Sequence, residues 1–456
     1  MRRLLPLLLT SAIALQACAT TATPVPPAAV VTAPAAWRTD PGPAVAIDKA
    51  WWTGFGDPVL TQLVETAVAN NTDVAIAAAR VDEARAQTRV SRAALLPTLD
   101  AGAGAQDARS LNAFGQPTTA YTAQPQLTFA YEIDLWGRLR DQDKAARASL
   151  QASQNARDAA RLSVAAATAN GYIVLRGLDA RLVTANETLA ARTEALRLAK
   201  SRADAGYTSK LELKQAEAEY QAAAQQVPTL KLAISRQENA LSLLLGQAPA
   251  AIPRGADLFA LTQPPTPDGL PSDLLRRRPD IAQAENTLVA SDAAYAGARA
   301  QLLPQVRLTA SLGALFVEGL DGPTNVWSLG GSILAPLFNG GRLSAQADAA
   351  GSRRDQAAFA YRKSVLTAFR EVEDAMAAVQ RLREVEAAVQ AQRDAAAETR
   401  RIARNRYQAG YASYLEELDA QRSLFSAELA LSAARADRLS ASVALYQAMG
   451  GGWSAS

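Results

Sequence analysis

Two stretches of this chain carry one pattern. Gly137-Arg138-Leu139 recurs as Gly341-Arg342-Leu343, and Ala205-Gly206-Tyr207 recurs as Ala409-Gly410-Tyr411, each 204 positions later. Ala94-Leu95-Leu96-Pro97 is answered by Gln301-Leu302-Leu303-Pro304, and the marks keep the same order in both halves. A repeat of this length means one structural unit present twice, so what the first half folds into the second must also fold into. The chain therefore divides into a first repeat at 51–246, an inter-repeat linker at 247–280, a second repeat at 281–450 and a tail at 451–456.

Within each repeat the patterning predicts helix, two strands, long helix, turn, helix. The first helices are expected over about 61–96 and 281–303, each stopped by a proline that cannot continue a helix. The strand signal is clearest over 126–135. Leu127, Phe129, Tyr131, Ile133 and Leu135 share one face, and Gln126, Thr128, Ala130, Glu132 and Asp134 the other. Such period-two alternation over about ten residues is what a transmembrane barrel strand requires. After Pro304 the same alternation sets Val306, Leu308, Ala310 and Leu312 against Arg307, Thr309 and Ser311. It is weaker after Pro97 and over 326–337. No proline occurs from Gln126 to Val227 or after Pro336, so 138–205 and 342–409 read as single helices. Each is roughly 70 residues, about 100 Å at 1.5 Å per residue. Phe369, Val372, Met376, Val379 and Leu382 recur at spacings of three and four, as in coiled coils. Gly206 and Gly410 end the long helices. Returning helices follow over about 209–245 and 412–449, and Pro228 is expected to kink the first or mark a junction.

Arg2 and Arg3 precede an apolar run from Leu4 to Leu15, the start of a secretory signal and too short to span a bilayer. Leu15-Gln16-Ala17-Cys18 resembles a bacterial lipobox. Residues 1–17 thus read as a lipoprotein signal peptide, Cys18 as the lipidation site, and 18–50 as a lipid-anchored linker rich in Ala, Thr and Pro. An ordinary signal peptide cut after Ala19 is the alternative. By resemblance to bacterial lipoproteins, Ala19 after the cysteine suggests sorting to the outer membrane.

Cys18 is the only cysteine and histidine is absent. Most nucleophile, general-base and zinc chemistry is thereby removed. The chain offers no phosphate loop, nucleophile motif or metal constellation, so no catalytic site, no metal and no cofactor beyond the lipid on Cys18 is expected. A carboxylate-based hydrolase is the remaining enzymatic alternative. The formal charge of +3, about +1 without Arg2 and Arg3, argues against a nucleic-acid binder. Arg276, Arg277 and Arg278 are too few for an anion patch and are expected to cap or pair. Trp51 and Trp52 are expected to pack against helices, and Trp136 and Trp327 to sit at membrane interfaces.

No segment after the signal has 18 consecutive apolar residues, so any membrane crossing must use strands closed into a barrel. Four strands cannot close one, the known minimum being about eight. Copies must pool their strands, three giving twelve and four sixteen, and pool their helices into a hollow cylinder. Polar strand faces would line the pore and apolar faces would meet lipid.

Read in order, the motifs resemble the outer-membrane factor family of TolC-like efflux proteins, in the lipoprotein branch that serves resistance-nodulation-division (RND) pumps. The resemblance rests on Asn71-Thr72-Asp73-Val74, Tyr131-Glu132-Ile133-Asp134-Leu135-Trp136-Gly137-Arg138, Glu238-Asn239-Ala240-Leu241, Leu274-Leu275-Arg276-Arg277-Arg278-Pro279-Asp280-Ile281 and Tyr411-Ala412-Ser413-Tyr414-Leu415. It implies a mainly α fold with a transmembrane β-barrel portion. Three copies would form a 12-stranded β-barrel continuous with a 12-helix α-barrel. The product would be a passive duct for small molecules, anchored in the bacterial outer membrane and extending into the periplasm, not an enzyme. Its implied partners are a homotrimer, outer-membrane lipid, a periplasmic adaptor and an inner-membrane RND-type pump. A duct for protein secretion and a periplasmic coiled-coil lipoprotein without a pore are the alternatives.

The turns at Gly206 and Gly410 are expected at the periplasmic tip. Glu212, Glu416 and Asp419, which follow them, are gate candidates, since three copies around one axis would form carboxylate rings that favour cations. Solvated helix faces are the plainer reading. The resemblance matches Asp419 to an acidic tip position and Tyr407 to a tyrosine that helps latch the closed tip. Ala412 stands where some members carry an arginine, so this tip is expected to be held by packing and carboxylate rings rather than by an arginine link.

Overall fold

The structure, a computed structural model, describes residues 25–39, 47–111, 113–267, 269–318 and 321–454; Cys18 and the signal region lie outside them. The chain forms two compact units. The first holds Arg80–Gln154 and Gln283–Lys363, and the second holds Thr32–Ala79, Asn155–Ala282 and Ser364–Ser456. Among the described residues no helix is long and apolar enough to cross a membrane.

The duplication is visible in the element order. The first repeat has α1 (Pro58–Asn70), α2 (Thr72–Ala93), β1 (Thr98–Leu111), β2 (Pro117–Ile133), α3 (Arg138–Asp204) and α4 (Lys210–Leu244). The second has α5 (Pro271–Arg277), α6 (Pro279–Ala300), β3 (Gln305–Val317), β4 (Thr324–Leu334), α7 (Arg342–Gln408) and α8 (Tyr414–Ala448). The long helices α3 and α7 are each 67 residues, and the returning helices α4 and α8 each 35. Helix α4 continues through Pro228.

In the first repeat the opening helix is broken, where one continuous helix over about 61–96 was expected; in the second, α6 matches the helix expected over about 281–303, and the short α5 precedes it. In the first repeat Asn71 turns extended, with φ −63° and ψ 135°. Its Oδ1 accepts the Asp73 amide at 2.8 Å and its Nδ2 donates to the Leu244 carbonyl at 2.9 Å. In the second repeat Arg278 takes the same place, held extended by the proline that follows it. Its guanidinium donates to the Ala448 carbonyl at 3.1 Å. A polar side chain at the break thus ties each repeat's opening helix to the end of its returning helix. Helix α5 lies within the segment expected as linker.

Arg278 is buried and pairs with Asp280 and Glu371, each at 2.7 Å, the pairing role expected for this arginine run. The second unit has an apolar core that includes Phe55, Leu60, Tyr172, Ile173, Leu241 and Leu439. Trp51 stacks on Tyr446 with ring centroids 5.4 Å apart. Asp57, almost wholly buried, caps α1 by accepting the Val59 amide at 2.8 Å. It also accepts the Tyr172 hydroxyl at 2.7 Å and the Ala256 amide at 3.0 Å, so its charge is satisfied.

The first unit carries one antiparallel sheet in the order β1-β2-β3-β4. Its register stacks like on like. Leu99 faces Phe129, which faces Ala310, which faces Leu329. One step along, Ala101, Leu127, Leu312 and Trp327 align. Strand β1 was weak in the sequence because alanines and glycines hide its alternation, yet it pairs over 14 residues.

Candidate functional site

The two helical turns are built alike. Gly206 and Gly410 take left-handed backbone, φ 74° and 78°. The following amides, of Tyr207 and Tyr411, donate back to the carbonyls of Arg202 and Arg406, both at 2.8 Å. This is the six-residue closure that ends a helix on glycine. Ser209 and Ser413 then cap α4 and α8, their hydroxyls accepting the amides of Glu212 and Glu416.

The turns bring Glu212 and Tyr407 together. The Tyr407 hydroxyl donates to Glu212 Oε1 at 2.7 Å and accepts from Arg202 Nη1 at 3.2 Å. Thr208 also donates to Glu212. Three helices, α3, α4 and α7, are joined through one phenol, beside a cavity of about 270 Å³ lined by Tyr414, Glu417 and Gln421 among others. Burial, helped by the Glu212 hydrogen bond and charge, pushes Tyr407 up to about 12. An arginine link therefore exists, formed by Arg202 rather than at position 412.

Glu416 and Asp419 stand apart from this cluster. Glu416 lies 3.7 Å from Arg406, and Asp419 lies 3.4 Å from Arg422 on the exposed side of α8. A second cluster, absent from the sequence expectations, sits farther along α4. Buried Arg192 pairs with Glu219 at 3.2 Å, and Arg422 reaches the same carboxylate at 2.5 Å. The 204-residue spacing did hold one clue: Arg202 and Arg406 each stand four residues before their turn glycine.

The sheet forms the other functional surface. One face is apolar and bare, with Trp327, Leu329 and Ile333 at 76%, 78% and 75% exposure. The other bears Gln126, Thr128, Thr309, Ser311 and Ser328, the last two bonded through their hydroxyls at 2.8 Å. From Ile133 to Ala123 on β2 the apolar face runs ten residues, about 33 Å along the strand. Tilted by about 40°, that spans about 25 Å, the height of an outer-membrane apolar band. Among the described residues β1 and β4 each have a free edge.

Comparison with known proteins agrees with these surfaces. The family model described as outer membrane efflux protein matches residues 63–247 and 270–451. The probable efflux pump outer membrane protein TtgC of Pseudomonas putida is 34% identical over 428 residues, covering 92% of this chain and 88% of its own. The pyoverdine export outer membrane protein OpmQ of the same species is 36% identical over 462 residues, covering 98% and 97%. Among solved structures, the outer-membrane channel OprN superposes with a TM-score of 0.88 at 30% identity, covering 96% of this chain and all of its own. The Campylobacter jejuni CmeC outer membrane channel gives 0.87 at 26% identity, covering 96% and 95%.

Proposed function

We propose that this chain, which belongs to the outer membrane efflux protein family and is the outer-membrane channel component of a tripartite efflux system, works as a trimer. It is a transport duct and not an enzyme. One observation carries the trimer: a four-stranded sheet with one bare apolar face and two free edges. Buried strand edges must be paired, and in lipid only a closed barrel pairs them all. Three copies, each β4 beside the next copy's β1, give twelve strands with apolar faces outward. A periplasmic adaptor docks at the turns and an RND-type pump supplies the cargo, which is of small-molecule class. Relatives named as toluene, antibiotic and pyoverdine exporters support that class. Cys18 carries the lipid that adds an anchor. The purified chain is expected to run as a heat-modifiable trimer and to conduct in planar bilayers. A monomer without conductance would refute the assembly.

Within the trimer, the Arg202–Tyr407–Glu212 contact holds the turns closed. Hydrogen bonds to charged groups are worth about 1.5–3 kcal/mol, so Tyr407→Phe should raise the open fraction about tenfold or more. Single-channel recording checks this. A hydroxyl whose folded value lies above its ordinary one supports the closed state fully below about pH 10. That support is lost as pH rises through about 12. Conductance of the parent should therefore climb in that window, and that of Tyr407→Phe should not. Asp419 contributes a carboxylate ring at the tip. Asp419→Ala should lower the cation-to-anion permeability ratio, and unchanged conductance and selectivity would remove the ring from the account.

A further inference from the structure

On the polar face of the sheet, near its helix-proximal end, two arginines compete for one carboxylate. Glu132 on β2 stands directly opposite Arg307 on β3 in the register. Yet Glu132 is already taken. Arg138, at the start of α3, grips both its oxygens, with Nη2 at 2.7 and 2.8 Å and Nε at 3.1 Å. That fork geometry is the strongest pairing a carboxylate makes. The Arg307 guanidinium is exposed, and among the described residues it has no hydrogen bond or ion pair. Its other register neighbour, Ser332 on β4, is uncharged.

We propose that Arg307 forms, in the assembled channel, a ring of uncompensated positive charge in the barrel lumen that favours anionic solutes. This rests on the trimeric barrel proposed above, which turns the polar face inward. Anionic here means carboxylate-, phosphate- or sulfonate-bearing cargo. Among the described residues the other charges on that face, apart from the Glu132–Arg138 pair, are Asp134, which is paired with Arg140 at 3.2 Å, and Asp100. Asp100 pairs in register with Thr128, four residues along β2 from Glu132. Four residues of strand separate the two levels by about 13 Å. That exceeds the Debye length of about 8 Å at physiological salt, so the Asp100 level does not cancel the Arg307 level. The lumen thus carries two bands of opposite sign, with the positive one nearer the helices. A guanidinium keeps its charge across the working pH range, so the band is permanent.

The test is the reversal potential of the full-length trimer in planar bilayers under a KCl gradient near 0.1 M. Arg307→Gln should raise the potassium-to-chloride permeability ratio about twofold, and the effect should fade near 1 M salt. Arg307→Lys should keep the parent ratio, and Asp100→Asn should move it the opposite way. Channels of Arg307→Gln with parent conductance and parent ratio would overturn the inference. So would equal shifts from glutamine and lysine, since that would make the effect one of shape and not charge. If the glutamine variant does not assemble, block of the parent by inorganic polyphosphate decides. Block at low salt but not high supports the ring, and no block overturns it. A parent that forms trimers but no pore would sink the channel reading itself, and this inference with it.

Discussion

Leu312→Arg should abolish the inserted channel. Leu312 sits at mid-height of the bare apolar face, between Leu127 and Trp327 in the register. An arginine on the lipid face near the bilayer midplane costs about 2–4 kcal/mol. Every copy carries the change, so a trimer bears it three times, about 6–12 kcal/mol, comparable to the whole stability of a folded domain. Heat-modifiable trimer in the outer-membrane fraction should be lost. Ser311→Arg, one residue away but on the opposite face, should still assemble and alter only conduction. The pair of variants separates the two faces: if both assemble, the bare face does not meet lipid.

Gly450→Ala should be the most damaging single change in the helical unit. Gly450 ends α8 with φ +90°, a conformation that other residues adopt only under strain. A Cβ there would also overlap the carbonyl oxygen of Arg277, at the end of α5. Gly246 stands 204 residues earlier with φ +69° and would overlap the Asn70 carbonyl in the same way. Backbone strain alone is about 1–3 kcal/mol, and the overlap must also push α5 away. Neighbouring Arg278 is itself held by Ala448 at the end of α8, so that contact loosens as well. Thermal unfolding of detergent-solubilised protein should show a clear drop in Tm, with Gly206→Ala the milder control. A Cβ at Gly206 has open space around it and strains only the backbone.

The parts of the fold legible in the sequence are those with long local periods. The repeat, the two 67-residue helices and the glycine turns each announce themselves in composition or spacing. Strands β2 and β3 show because their outward side chains are large. Strand β1 does not, because Ala101, Ala103 and Ala105 make an apolar row too small to stand out, and its partners supply the bulk. The break at Asn71 was hidden for another reason. An asparagine inside a helical run is only a weak stop, and what fixes it there is a carbonyl 173 residues away. At the tip, Tyr407 and Glu212 were recognisable as candidates, and their meeting is observed. Glu219 was not, because nothing around it marks it as the shared partner of Arg192 and Arg422. Which carboxylate an arginine chooses is decided by helix packing, and no local pattern encodes that.

The free edges of the sheet have a consequence in time. A lone copy exposes β1, β4 and a broad apolar face, each a template for pairing with any other extended chain. In the trimer proposed above it completes its fold by meeting two others, so the last step of folding is a collision and its rate depends on concentration. The second unit, by contrast, has a buried core of its own. A newly exported copy is therefore half finished on arrival: one unit settled, the other waiting. For a cell, the scarce resource is not the chain but the interval during which three unfinished copies stay apart from everything except one another.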